Sequence, residues 1–129
     1  MRYSVTTGES SEILNADPAP QFQTHVILTN NAKLQRAIFT RPQLYNVGSA
    51  NRAATHTEIL MFDTNDAGTI HEDNLILAAM MERSNQQTLD INFARGLHSI
   101  ICQSGLTIRF QGMETTPVGA PISWIVYYL

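Results

Sequence analysis

Charge is the scarcest resource in this sequence. Asp, Glu, Lys and Arg make up 15% of its 129 residues, well under the roughly 25% of an average globular chain. Lys33 is the only lysine, the arginines are scattered, and the formal net charge is -3. No basic stripe exists that could track a phosphate backbone or an anionic membrane surface, so neither nucleic acid nor membrane is an expected partner. Cysteine is nearly absent too. Cys102 stands alone, which excludes an intrachain disulfide. It lies among Ile100 and Ile101, where a free thiol usually serves as a small buried hydrophobe. No apolar run approaches the ~20 residues of a membrane helix, and Met1 to Thr7 lacks the apolar core of a secretory signal, so synthesis in a cytoplasm is expected.

What replaces charge is Thr, Ser, Asn and Gln, a balance that suits strands with one neutral polar face. From Thr24 onward, short β-branched and aromatic runs recur between turn signals, the pattern of a sandwich or barrel. Strands are expected at Thr24–Thr29, Leu34–Thr40 and Thr57–Asp63, with a short edge piece at Leu44–Val47. Leu89, Ile91 and Phe93 alternate with polar neighbours. So do Leu106, Ile108 and Phe110, and then Ile122, Trp124, Val126 and Tyr128. Leu97–Gln103 reads as a further strand. Leu75–Met81 fits a buried strand or a short helix capped by Asp73 or Asn74, with strand favoured by its neighbours. Residues 1–23, with Pro18 and Pro20 and few large apolar groups, read as an extended arm. The expected organisation is that arm followed by an all-β domain over 24–129, an antiparallel two-sheet sandwich of about eight strands with jelly-roll topology.

Catalytic chemistry is harder to find. No His-x-His pair exists to start a cupin-type metal site, although His56 and Glu58 would share a strand face. No Gly-x-Ser-x-Gly elbow or phosphate-binding glycine loop occurs. Asp63, Asp66, Glu72 and Asp73 crowd one turn, where a solvated acidic loop is a better account than a calcium site. Trp124, Tyr127 and Tyr128 would make a sugar platform only if the terminal strand were exposed; core and interface packing suit it better. The sequence therefore predicts no enzyme, no metal and no cofactor.

From Lys33 to Leu129 the chain resembles the small jelly-roll virion proteins of tailed bacteriophages, the capsid decoration (cement) and head-fibre type. The resemblance rests on Ile59–Asp63, the Asp66-Ala67-Gly68 turn, the alternating Leu89–Phe93, Gly96-Leu97, Ser104–Ile108 and the closing Tyr127-Tyr128. Met61-Phe62 and the insert from His71 to Gln87 depart from it. The resemblance implies a non-enzymatic subunit on the capsid surface of a virion, assembled as homotrimers and bound to a major capsid protein. A tail or connector jelly roll is an alternative, and a carbohydrate-binding β-sandwich is one of another class. The arm would be the clip, with Ile13, Leu14 and Phe22 as apolar anchors and Pro18 and Pro20 as stiffeners, laid on a neighbouring subunit. On this expectation, deleting residues 2 to 20 leaves the fold intact and abolishes attachment to capsids.

Overall fold

The structure, a computed structural model, describes residues 2–10, 22–40, 57–81, 88–93, 100–112 and 122–129. These hold nine strands: β1 (Ser4–Glu9), β2 (Phe22–Leu28), β3 (Ala32–Thr40), β4 (Thr57–Phe62), β5 (Leu75–Met81), β6 (Thr88–Asn92), β7 (Ile101–Cys102), β8 (Leu106–Gly112) and β9 (Ser123–Tyr128). Among the described residues there is no α-helix; two single 3-10 turns, Ala67–Thr69 and Glu72–Asn74, sit between β4 and β5. One sheet runs β1-β9-β3-β6, with the short β7 pairing the start of β3; the other runs β2-β8-β4-β5. Every pairing is antiparallel.

Period-two alternation explains why the sheets meet face to face. Leu34, Ala37, Phe39, Trp124 and Val126 from the first sheet, and Ile59, Met61, Met81, Ile108 and Phe110 from the second, form one buried cluster. At its centre lies an aromatic bridge. The Phe110 ring stacks on Trp124 with centroids 5.7 Å apart, and meets Phe39 edge-on at 6.0 Å. Trp124 and Phe39 are direct cross-strand partners, so one sheet presents two rings to the other. On the opposite side of Trp124 in the same sheet is Gly8. A Cβ built there would fall 2.3 Å from the indole, so the ring occupies the space a side chain would need.

The 63–74 connection is held by side chains rather than by length. Asp63 accepts backbone N–H bonds from Gln103 (3.0 Å) and Ser104 (2.9 Å). Buried Thr107 donates its hydroxyl to the Thr64 carbonyl at 2.8 Å. Asp66 caps the first 3-10 turn through Gly68 N–H, and the His71 ring and the Asn74 side chain close a capping box on the second. Gly105 follows the pinned turn at φ +148°, where a Cβ would lie 2.3 Å from the Leu28 carbonyl oxygen, so only glycine lets β8 start there.

Two expectations change and one open choice is resolved. The stretch read as an arm contains β1, which pairs along its whole length with β9, Ser4 opposite Tyr128 through Glu9 opposite Ser123. Residues 4–9 therefore belong to the domain's own sheet, and a boundary at 23 and 24 cuts through β2. The cause lies in its inward positions: Gly8 is bare because the Trp124 ring fills its place, and Thr6 opposite Val126 is small and polar, so the strand carries no apolar signature. Deleting residues 2 to 20 would strip an edge strand, not a dispensable clip. The ambiguous Leu75–Met81 is a strand, because Asn74 spends its side chain closing the preceding turn, accepting from His71 N–H and donating to the Thr69 carbonyl. Of the strand expected at Leu97–Gln103, residues 100–103 are described, and of these only Ile101–Cys102 is strand. The edge piece at 44–47 lies outside the described residues.

Two substitutions test this core. Phe110→Ala should cost about 3–5 kcal/mol by cavity formation, visible as a large drop in the denaturation midpoint; an unchanged midpoint would place the ring outside the core. Gly8→Ala should cost about 1–3 kcal/mol by overpacking against Trp124. The same change in a Trp124→Leu background should cost much less, since the atoms it strikes are gone.

Candidate interaction surface

In the acidic turn Asp63 and Asp66 hold backbone amides, and the His71 ring nitrogen accepts the Asp73 N–H at 3.2 Å. Among the described residues no three His, Cys, Asp or Glu side chains converge as metal ligands; His56 and His98 lie outside that set. Cys102 is fully buried, and burial, reinforced by the Asp63 carboxylate, pushes its thiol up to about 12. A thiol so rarely ionised is a poor nucleophile. His25 sits on the inner face of β2, its ring 5.0 Å from Trp124 and 5.9 Å from Phe110, and burial lowers its pKa.

The two outer faces differ in character. On the first sheet, Arg36 of β3 and Asp90 of β6 form an exposed ion pair, Nε to Oδ1 at 2.8 Å. Tyr3, Gln35, Arg36, Asn92 and Tyr127 line an open groove of about 320 Å³ there. Thr7, Glu9, Thr40, Thr88 and Asp90 are exposed on the same face, with Val5 exposed and Ile38 and Ile125 half-buried among them. The aromatics of the terminal strand are split: Trp124 is buried in the core, Tyr128 packs against it, and only Tyr127 faces out, beside Tyr3.

The second sheet carries large apolar side chains on its outside as well as its inside, with the polar Thr24, Glu58 and Gln111 among the outer residues. The cross-strand register puts Phe22 and Val26 of β2, Leu60 and Phe62 of β4, and Ala78 and Met80 of β5 on its outer face, around Arg109 of β8. Phe22 is 56% exposed, Val26 41%, Leu75 41% and Met80 38%. Phe62 is buried yet stands apart from the central cluster, on the wall of a depression of about 510 Å³ that Glu58, Leu60, Arg109, Leu75 and the 70–72 loop also line. Arg109 lies over the Phe22 ring, Cζ 4.4 Å from its centroid, a cation–π contact. Its Nε is the one buried side-chain polar atom without a hydrogen-bond partner among the described residues.

Of the five residues expected to bind a partner, Ile13, Leu14, Pro18 and Pro20 lie outside the described residues. Phe22 is within β2, exposed and stacked with Arg109, rather than at the end of an arm. Arg109, Leu60 and Met80 were not singled out by sequence, and Glu58 only as a strand-face neighbour of His56. A signal was present: Ile59-Leu60-Met61-Phe62 and Leu75–Met81 are apolar at odd and even positions alike, whereas an antiparallel sheet with one wet face should alternate. No protein-family model matches the chain, and no curated protein matches it in sequence.

The half-buried imidazole of His25 generates a pH prediction. Because its folded pKa is depressed, the unfolded chain takes up the proton first as pH falls below the ordinary value of 6.5. Stability should be flat in this respect above that value and fall as pH drops toward the folded pKa. Melting curves of wild type and His25→Phe between pH 8 and 5 should diverge on acidification, the wild type losing more. Parallel curves would show that His25 is not the coupled group.

Proposed function

We propose that the chain is a non-enzymatic virion subunit, a jelly-roll domain that decorates the capsid lattice of a tailed phage. The observation that carries this reading is the nesting of the strand pairs: β1 with β9, β2 with β8, β3 with β6 and β4 with β5. With β7 set aside, that is the pattern of one long antiparallel hairpin rolled over on itself, and it supports jelly-roll topology. The chain then crosses between sheets at every connection except β4 to β5. Jelly rolls serve capsids, lectins and cupins alike, so the fold alone does not choose among them. What favours a packing subunit is an interior filled by Phe39, Phe110, Trp124 and aliphatic side chains, where a cupin arranges its ligands, together with an apolar outer face that calls for a protein neighbour. The reading includes self-association, as trimers by the resemblance, a major capsid protein as partner, and synthesis in the host cytoplasm.

The Tyr3–Tyr127 groove favours a second reading, a carbohydrate-binding module, since paired phenol rings beside Gln35, Asn92 and Arg36 offer stacking and hydrogen bonds together. The two readings separate cleanly. Particles from the virus that encodes the chain, banded by density and quantified by mass spectrometry, should contain it in stoichiometric ratio to the major capsid protein, and emptied heads should retain it. Absence from those particles, with glycan-array binding that Tyr127→Ala abolishes, would reject the virion reading and establish the second.

A further inference from the structure

The outer face of the β2-β8-β4-β5 sheet carries an unmet chemical demand at its centre. Arg109 projects from β8 between Thr24 of β2 and Leu60 of β4, its direct cross-strand neighbours. Its Nε–H is buried with no acceptor, and the side chains around it are Phe22, Leu60, Phe62 and Leu75. A guanidinium N–H shut away from water costs free energy until an acceptor reaches it, and a carboxylate is the best acceptor for it. The same face supplies one. Glu58 pairs across β4 with Gln111, which puts it diagonal to Arg109 on the wall of the same depression. Among the described residues no ion pair joins the two.

Two opposite charges side by side on one apolar face are self-complementary. A two-fold axis lying in the contact plane and passing between them sets Glu58 of each copy over Arg109 of the other. We propose that this sheet face is a contact between two copies of the chain, in which each Arg109 is received by Glu58 of the opposite copy while Phe22, Leu60, Leu75 and Met80 close the surrounding apolar surface. The proposal stands whether or not the protein belongs to a virion, and if the protein is trimeric the contact joins two trimers. Its size sets its strength. Four strands of about six residues span roughly 20 Å by 20 Å, less than the ~800 Å² per partner of a standard interface. Association should therefore shift within an accessible concentration range.

Sedimentation velocity of the full chain over a concentration series tests this. The wild-type species should have twice the mass of both Glu58→Arg and Arg109→Glu, each of which sets like charges together twice and should raise the dissociation constant about a hundredfold or more. Mixing the two variants should restore the doubled mass, because one hybrid contact is native and the other is charge-reversed; the double variant should recover it as well. Circular dichroism confirms that each variant folds. Should Arg109→Glu fail to fold, Met80→Lys replaces it, a change at an exposed edge that should also halve the mass. Wild type and folded variants of equal mass at every concentration would overturn the proposal, leaving the face to another protein. So would variants that stay separate on mixing.

Discussion

The indole of Trp124 is the contact on which most of the architecture depends. Burying a ring of that size removes roughly 150–250 Å² from water, worth about 4–6 kcal/mol at about 25 cal/mol per Å². Here the ring faces Phe110 and His25 of the opposite sheet and flanks Phe39 within its own. It also dictates the strand beside it. Gly8 has no side chain because the indole fills that volume, and β1 can lie flat against β9 only for that reason. A tryptophan near one end of the chain thus draws a polar segment near the other end into the same sheet.

From this packing follows a sandwich whose outer faces have unequal properties. The first sheet shows solvent a mixed surface of threonines, a glutamate and the Arg36–Asp90 pair. The second offers apolar side chains around a guanidinium left short of an acceptor. The 63–74 loop rises as a wall beside that face, and its position is set by Asp63 and Thr64 reaching to β8 and the turn before it. Preformed shape matters for association, since a loop already held does not have to be ordered on binding. Under the virion reading proposed above, function comes from which surfaces meet neighbours. The low charge of the whole chain is consistent with that, because few ions must be desolvated when a face is covered.

Much of the fold was legible because alternation is a local property. Leu106, Ile108 and Phe110 point inward, as do Trp124 and Val126, and all five are buried. Leu89 and Ile91 are only partly buried, because β6 is an edge strand with a neighbour on one side alone. The interaction face was less legible. An unbroken apolar run such as Leu75–Met81 says that both sides of a strand want cover, but not which side faces the core and which a partner.

By itself, then, the sequence determined the fold class, the inward residues of most strands, and the absence of any motif for nucleic acid, membrane or disulfide chemistry. Each of these follows from composition or from period-two spacing within a few residues. Tertiary structure alone decided that Ser4–Glu9 is a strand, since Gly8 acquires its meaning only under a tryptophan some 115 positions away. It alone decided that Glu58, Arg109 and Phe22 share one surface. Antiparallel pairing joins segments that are remote in the chain, and nothing in a strand's own side-chain pattern names the strand that will lie beside it.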